Sequence, residues 1–473
     1  MGEAVYLGLF NTFIQLFYNQ AIGLSNSLIG VAIMLAMIGD AITDPIMGIV
    51  SDRWKSRHGR RHPFLFIAPI PLALSVWLVF HPPEALLSGA GGPNQLGLFA
   101  WLAVLTIFSR AFLTLYHVPH LALGGELSKN QHQRSQLFSA NTVFGYLAGA
   151  SFGFFAWLAL VGERVRESDG ATVTGQLDPA AYTPIVILVC ALILIFIWGS
   201  AAGTYRAAQR LSVAESNQPK LSLLHVFREI FGTLKNRNYA VLLVGFFFFM
   251  IASGIFDTMR GHVATYFWGL VPQQIALLAL IAAPGAIVGA LLAPFLMKRF
   301  DRKPVLLGAL IGLCVFSQLV IDLRLLGLMP VNGDPLLLPV LLANTFCFAV
   351  TLGIGSVSIL SMIGDLIDEN ELASGLRQEG LFYSARAFFA KASYSFGHFF
   401  AGIMLDLFVR IPANAIPGEL DPGIVFRMGL TAGPIMAIAA LTAIFIYARY
   451  DLPRSRHAEV IRLLTERKEQ KKP

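Results

Sequence analysis

The segment "GDAITDPIMGIVSDRWKSRHGRRHP", residues 39–63, places two carboxylates in an apolar stretch and follows them with a strongly basic one. Asp40 and Asp44 are four residues apart, so in a helix they lie on the same face, with Thr43 beside them. An ionised carboxylate inside a bilayer costs about 2.5–3.5 kcal/mol on insertion scales. A helix keeps such a pair only where something compensates its charge.

The residues alone leave two interpretations of this pair open. In the first, a coupling cation or protons neutralise the carboxylates, and hydroxyl oxygens such as that of Thr43 complete a site for a hard cation. In the second, the pair is structural: Asp44 caps the bend at Pro45, and Asp40 pairs with an arginine of a neighbouring helix.

The composition of the chain indicates a membrane protein. Of its 473 residues, 56% are hydrophobic and 13% are charged, whereas soluble proteins carry about 25% charged residues. Apolar runs of about 20 residues recur along its length. We predict an all-α polytopic membrane protein with twelve transmembrane helices, at residues 3–21, 27–50, 64–80, 96–124, 136–161, 182–204, 239–268, 274–297, 304–326, 336–364, 380–409 and 425–448.

The distribution of basic residues predicts the topology. The connection at 51–63 is rich in Lys and Arg, whereas the connection at 81–95 has none. The positive-inside rule then places both termini in the cytoplasm, and we expect the chain in the plasma (inner) membrane. The predicted domains are an N-terminal six-helix bundle (1–204), a cytoplasmic loop with an amphipathic helix (205–238), a C-terminal six-helix bundle (239–448) and a basic cytoplasmic tail (449–473).

Small residues at four-residue spacing predict close contacts between helices. Gly145, Gly149 and Gly153 follow this pattern in the fifth span, and Gly285 and Gly289 follow it in the eighth. Such spacing allows two helix backbones to approach each other. We expect a structural role for both sets.

Four segments together resemble a known family. They are the segment after Gly39, "TLYHVPHLALGGELS" (114–128), "GDLIDENELASGLRQEG" (364–380) and "YSARAFFAKASYSFG" (383–397). In this order they are similar to the glycoside–pentoside–hexuronide:cation symporters, the melibiose-carrier-like branch of the major facilitator superfamily. The resemblance implies the major facilitator fold, with two six-helix bundles and alternating access to a central substrate site.

The resemblance also implies site residues. The cation site is expected at Asp40, Thr43, Asp44 and Thr114; if the coupling ion is sodium, Asp40 and Asp44 are its carboxylate ligands. The substrate cavity is expected to include His117, Asn141, Thr142, Asp257, Arg260, Tyr383 and Lys391. Of these, the resemblance itself implies Lys391, whereas Asp257 and Arg260, taken from their place in the seventh span, have either a cavity or a gating role. Gating residues are expected at Asp52, Arg53, Arg57, Arg60, Arg61, Asp365 and Arg377.

The chain also departs from the sugar-binding members of this family. Ala4 aligns with an acidic residue of their first helix, His117 with a second acid on helix four, and Thr142 with an arginine on helix five. His117 either titrates beside the cation site or serves as a hydrogen-bonding histidine of the cavity. Asp257 and Arg260, three residues apart, are expected to pair with each other.

These observations predict a cation-coupled symporter, driven by sodium or protons, that imports a small polar solute such as a sugar or glycoside. A carrier of an amphiphile such as a lysophospholipid is the alternative. No Ser/His/Asp array, HExxH motif or Gly-rich phosphate loop is evident, so we expect neither an enzyme nor a cofactor beyond the coupling ion. The expected partners are the solute, the cation and the lipid bilayer, without nucleic acid, and the expected state is a monomer.

Overall fold

The computed structural model describes the whole chain except residues 55, 88–91, 128–130, 166–169, 171, 210–227, 229–231, 375–378, 413–414 and 471–473. Most of the predicted amphipathic helix of the central loop therefore lies outside the described residues. Each of the twelve predicted spans contains helix. Ten helical segments of the described chain are long and apolar enough to cross a membrane. The other two predicted spans, the first and the fifth, are occupied by α1 and α7.

The helices are α1 (Gly2–Leu16), α2 (Asn26–Arg53), α3 (His62–Ile67), α4 (Pro69–Phe80), α5 (Glu84–Leu87), α6 (Gln95–Glu126), α7 (Gln131–Ala159), α8 (Thr183–Gln209), α9 (Arg237–His262), α10 (Pro272–Phe300), α11 (Arg302–Leu325), α12 (Leu337–Ser374), α13 (Glu379–Ile403), α14 (Pro422–Leu430), α15 (Met436–Tyr447) and α16 (Arg454–Gln470). Short 3₁₀ turns lie at Gly175–Leu177, Pro179–Tyr182 and Thr233–Lys235. Wider π-helical turns lie at Phe17–Ile22, Val263–Phe267, Met404–Val409 and Thr431–Ile435.

Not all of the ordered structure is helical. Two short strands, β1 (Glu163–Val165) and β2 (Thr172–Thr174), form an antiparallel hairpin after α7, with Arg164 opposite Val173. This hairpin lies in a connection between helices, and the predicted all-α class of the membrane protein is confirmed. Both strands are only three residues long, so the sequence carries too little alternation to indicate them.

The described chain separates into two compact units. The first unit consists of Met1–Leu223, Asp257–Leu280 and His398–Met428; the second consists of Leu224–Phe256, Ile281–Gly397 and Gly429–Pro473. Each unit thus combines distant parts of the sequence. The predicted boundaries of the two six-helix bundles stay a prediction.

In the first unit, α6 packs against α2 and α4, while α1 packs against α7 and α8. Asn94 explains where α6 begins, because its side chain accepts a hydrogen bond from the main-chain N–H of Gly97 at 2.9 Å. Such a cap satisfies a donor that the helix itself leaves without a partner. The long α6 is the element that positions most of the candidate site.

In the second unit, a buried apolar cluster joins α9, α11, α12, α13 and α15. Tyr239 lies in it fully buried, and its hydroxyl donates a hydrogen bond to the carbonyl of Phe382. The cluster continues into the segment after α15, where Tyr450 and Leu452 are buried. It fixes how these helices pack within the unit.

The glycine spacing predicted close contacts correctly in the second unit only. A Cβ on Gly289 would lie 2.0 Å from the carbonyl oxygen of Val350, and one on Gly285 would lie 2.8 Å from that of Phe346. In the first unit, a Cβ on Gly145 or Gly149 would meet no described atom within 4 Å. Among the described residues, close packing is therefore not found at these two glycines, so four-residue spacing of glycines does not by itself produce a close contact.

The π turns after α1, α9 and α13 end in the same way. In each, the N–H of a residue just beyond the turn donates to a carbonyl six positions earlier: Leu24 to Tyr18, Leu270 to Ala264, and Ile411 to Leu405. The residue before the donor has positive φ in all three, namely Gly23 (93°), Gly269 (62°) and Arg410 (59°). Gly23 and Gly269 follow the first and seventh predicted spans, which supports the two-half organisation of the sequence.

Candidate functional site

The two carboxylates of α2 face α6, which lies beside it in the first unit. α2 continues through Pro45 without a break in the assigned helix. Asp40 is buried, with an exposed fraction of 3%, while Asp44 is half-buried. Thr114 of α6 is also buried, with an exposed fraction of 3%. The four-residue spacing thus does place both carboxylates toward one neighbour.

Thr114 connects the two carboxylates. Its hydroxyl lies 2.8 Å from Oδ1 of Asp44, to which it donates a hydrogen bond, and 3.5 Å from Oδ1 of Asp40. Thr43 makes a different contact, because its hydroxyl donates to the main-chain carbonyl of Asp40 at 3.4 Å. The side chains of three of the four predicted cation ligands, Asp40, Asp44 and Thr114, therefore lie close together.

Arg110 is a residue of this site that the sequence analysis missed. Its Nη1 lies 3.0 Å from Oδ2 of Asp40, and its side chain is 9% exposed. The structural interpretation of Asp40, a pair with an arginine of a neighbouring helix, therefore holds. Arg110 precedes Thr114 by four residues, so the two share one face of α6, but this spacing does not indicate that the face meets Asp40 of α2.

Asp40, Asp44 and Thr114 can offer carboxylate and hydroxyl oxygens to a hard cation. No group of three or more His, Cys, Asp or Glu side chains that could hold a metal ion occurs in the part of the chain that the structure describes. Because Asp40 already has Arg110 as a basic partner, a single positive charge, either a monovalent cation or a proton, is enough to balance the remaining carboxylate. The contacts themselves favour neither ion.

A second polar group lies where α1, α6 and α7 meet. The ring Nδ1 of His117 is 2.8 Å from Oε2 of Glu3, and both side chains remain about one-third exposed. His120, one turn further along α6, is hydrogen-bonded to Asn141 of α7. Glu3 was missed because the comparison with the family placed Ala4 at the acidic position. The side chain of Thr142 lies outside the described residues.

The predicted Asp257–Arg260 pair is present in α9. Nη1 of Arg260 lies 3.9 Å from Oδ1 of Asp257, and its Nη2 donates a hydrogen bond to the hydroxyl of Thr12 on α1 at 3.0 Å. All three residues belong to the first unit. The arginine thus joins α9 to α1 as well as pairing within its own helix.

Tyr383 and Lys391 belong to the second unit, on α13. The side chain of Tyr383 is 41% exposed, and that of Lys391 is half-buried. Their assignment to the substrate cavity stays a prediction.

The comparisons with known proteins identify the family. A family model described as MFS/sugar transport protein matches residues 3–454. The chain belongs to this family. The transporter therefore has the major facilitator fold that its sequence predicts, is a multi-pass membrane protein, and is not an enzyme.

Individual relatives agree with this assignment. The uncharacterized symporter sll1374 of Synechocystis is 24% identical, with 99% of the transporter and 95% of the relative covered. The isoprimeverose transporter of Lactiplantibacillus pentosus is also 24% identical, with coverage of 84% and 76%. Among solved structures, the nucleoside transporter NupG matches with a TM-score of 0.62, 14% identity, and coverage of 95% and 96%. The resemblance to the glycoside–pentoside–hexuronide:cation symporters is confirmed.

The predicted gating residues of the transporter fall into separate contacts. In the basic connection after α2, Arg61 donates a hydrogen bond to the hydroxyl of Ser51 at 3.2 Å, and Arg57 donates to the ring Nε2 of His58 at 3.0 Å. Arg60 lies in the same connection and is partly buried. The side chains of Asp52 and Arg53 lie outside the described residues.

Asp365 lies in the second unit of the transporter, near the end of α12. Its carboxylate is 2.9 Å from Nη1 of Arg302 and 3.5 Å from Nε2 of His457. Because His457 belongs to α16, the predicted basic tail is a helix that packs on α12 and approaches this carboxylate. Arg377, the remaining predicted gating residue, lies outside the described residues.

One further carboxylate of the transporter holds the start of α2. Oδ1 of Asp406 accepts from the main-chain N–H of Asn26 at 3.1 Å, and Oδ2 accepts from that of Ser27 at 2.6 Å. The side-chain amide of Asn26 donates to the same carboxylate at 3.0 Å. A negative charge at a helix N-terminus is favourable, so Asp406 caps α2 from a segment 380 residues away.

Proposed function

We propose that the transporter is a cation-coupled symporter that imports a sugar or glycoside across the plasma membrane by alternating access. The observation that carries this proposal is the hydroxyl of Thr114, at 2.8 Å from Asp44 and 3.5 Å from Asp40. It supports a single cation position between α2 and α6 that both carboxylates face. The ion is sodium or a proton.

The Glu3–His117 pair supports sugar recognition. A carboxylate and an imidazole together offer hydrogen-bond acceptors and a donor, which suits the hydroxyl groups of a sugar. His120 and Asn141 extend this group toward α7. Partial exposure of Glu3 and His117 leaves them accessible to a solute. The few precisely placed polar groups of a ligand pocket usually fix the ligand's orientation.

In this mechanism, cation binding reduces the negative charge of the site before the transporter changes conformation. By thermodynamic linkage, cation and sugar must raise each other's affinity by the same factor. We propose that both termini lie in the cytoplasm and that the transporter acts as a monomer. The lysophospholipid alternative is not retained, since neither the family match nor the relatives reported above favour it.

The test uses the purified transporter in proteoliposomes with a panel of sugars, glycosides and hexuronides, and with lysophospholipids for comparison. Uptake is measured with an imposed sodium gradient and, separately, with a proton gradient of the same direction. We expect one of the sugars or glycosides to accumulate with one of the gradients, and Asp44→Asn to abolish that accumulation. Accumulation that survives Asp44→Asn, or a response to lysophospholipid alone, would contradict the proposal.

A second variant tests the proposed sugar group separately from the cation site. His117→Gln removes the imidazole that contacts Glu3, while Asp40, Asp44 and Thr114 keep their own contacts. We expect a weaker sugar affinity with unchanged cation binding to the sugar-free transporter. Unchanged sugar affinity would exclude His117 from the sugar site.

A further inference from the structure

The cation site of this transporter already contains a cation of its own. Arg110 lies with its Nη1 at 3.0 Å from Asp40, and the two side chains are 9% and 3% exposed. A guanidinium group keeps its charge at all physiological pH values. The pair is therefore a buried ion pair, in which the attraction between the two charges offsets part of the cost of burying them.

The contacts divide the site into two parts. Asp40 has its shorter contact with Arg110, at 3.0 Å, and the longer one with Thr114, at 3.5 Å. Asp44 has its short contact with Thr114, at 2.8 Å. A small monovalent ion that uses the oxygens of Asp44 and Thr114 therefore comes close to a carboxylate whose charge Arg110 has already compensated.

The surroundings of Arg110 favour this arrangement. A small cavity of about 20 Å³ borders Arg110, Asn11, Thr106 and His398 in the same unit. A cavity of this size has room for about one water molecule. This space is smaller than a guanidinium group, so the cavity itself does not offer Arg110 a second position.

We propose that Arg110 is a tethered cation that competes with the coupling ion for Asp40, so that Asp44 and Thr114 hold the ion and its affinity is lowered. The inference rests on the proposed cation site and names the residue that sets its strength. Arg110 acts through Asp40 and through its own positive charge. Removing that charge should strengthen the attraction between the site and any monovalent cation.

The test measures equilibrium binding of radioactive sodium to the purified full-length transporter, with choline chloride holding the ionic strength constant. We expect Arg110→Gln to bind sodium at least about tenfold more tightly than the wild type, because a like charge next to the ion is removed. Arg110→Lys keeps the charge and should stay near the wild-type affinity. Thermal unfolding with and without sodium is a second readout, in which Arg110→Gln should show the larger stabilisation by sodium.

A matched control removes an arginine of the same unit away from the site. Arg164 lies 4.0 Å from Asp178, next to the β1–β2 hairpin, and is 42% exposed. Arg164→Gln removes one positive charge and one Asp–Arg pair, and should leave sodium affinity unchanged. An equal gain in both Gln variants would assign the effect to overall charge and overturn the proposal.

The double variant Asp40→Asn/Arg110→Gln guards against misfolding of the single one, because it removes both members of the buried pair. It leaves Asp44 and Thr114 and should bind sodium within a few-fold of the wild type. Sodium affinity that falls in a folded Arg110→Gln transporter would show that the arginine supports the site, and would overturn the proposal. Absence of sodium binding in every variant would also overturn it, whereas the proposed sugar symport is judged separately by proton-driven uptake.

Discussion

At the scale of single residues, the hydroxyl of Thr114 is the link between α2 and α6 at the proposed cation site. Thr114→Val keeps the shape of the side chain and removes that hydroxyl. Hydrogen bonds to charged groups contribute about 1.5–3 kcal/mol, so we expect cation affinity to fall about tenfold or more. The measurement is the cation concentration that gives half-maximal sugar uptake.

Thr114→Ser serves as the conservative control, since it retains the hydroxyl on α6. It should keep cation affinity close to the wild-type value. If Thr114→Val and Thr114→Ser both behave like the wild type, the hydroxyl does not take part in cation binding.

The site was partly predictable at this scale. Asp40 and Asp44 could be paired from sequence because they share one helix face, where spacing alone determines the neighbours. The contacts of Arg110 and Glu3 cross from one helix to another. They depend on how neighbouring helices are aligned along one another, and the periodicity within each helix does not indicate this alignment.

At the scale of helices, two glycines with the same sequence spacing lie in opposite environments. Gly289→Val would bring a Cβ to 2.0 Å from the carbonyl oxygen of Val350, whereas the Cβ of Gly149→Val would meet no atom of the described residues within 4 Å. Overpacking costs about 1–3 kcal/mol. We expect Gly289→Val to lower the thermal unfolding temperature clearly in detergent, and Gly149→Val to change it little.

The two glycine variants control each other, since both insert the same side chain into a predicted transmembrane helix. Equal unfolding temperatures for the two would show that the close contact between α10 and α12 does not constrain residue size at Gly289.

The three repeated helix ends allow a stabilising substitution. Arg410 occupies, at φ 59°, the position that glycine occupies after α1 and α9. A side chain in this conformation costs about 1 kcal/mol, which glycine avoids. We expect Arg410→Gly to raise the unfolding temperature and Gly269→Ala to lower it; a decrease for both would mean that the contact of Arg410 Nε with the carbonyl of Leu407, at 3.2 Å, outweighs the strain.

The positions of the helices were predictable from hydropathy, but the details of their ends were not. The third predicted span, 64–80, is divided at Ala68 between α3 and α4, and Pro69 begins the second helix. Apolar runs identify the length of a span because the bilayer requires it. They carry no information on π turns, which depend on local backbone hydrogen bonds.

At the scale of the whole molecule, Asp406 connects parts of the first unit that are far apart in sequence. Asp406→Asn keeps the shape of the side chain but removes the negative charge at the start of α2. Loss of a helix cap costs about 0.5–2 kcal/mol, so we expect a lower unfolding temperature. Glu419→Gln, an exposed carboxylate of the same segment, should leave it unchanged.

The capping prediction would be contradicted if Asp406→Asn and Glu419→Gln had the same small effect. This connection could not be predicted from sequence, because Asp406 resembles any acidic residue near the end of an apolar run. The fold itself could be predicted, since several motifs occur in the same order as in the resembling family over nearly the whole chain.

The Arg110–Asp40 pair has a consequence for how membrane voltage acts on the proposed cycle. With Asp44 ionised, the formal charges of Arg110, Asp40 and Asp44 sum to one negative charge when no ion is bound and to zero when a monovalent cation is bound. A charge that crosses the membrane field changes energy by about 2.3 kcal/mol per 100 mV. In a cell with a negative interior, the voltage therefore has little effect on the inward step, in which the three side chains and the bound cation are together neutral. It favours the return of the empty transporter to the outward-facing state, because the three side chains then carry a negative charge.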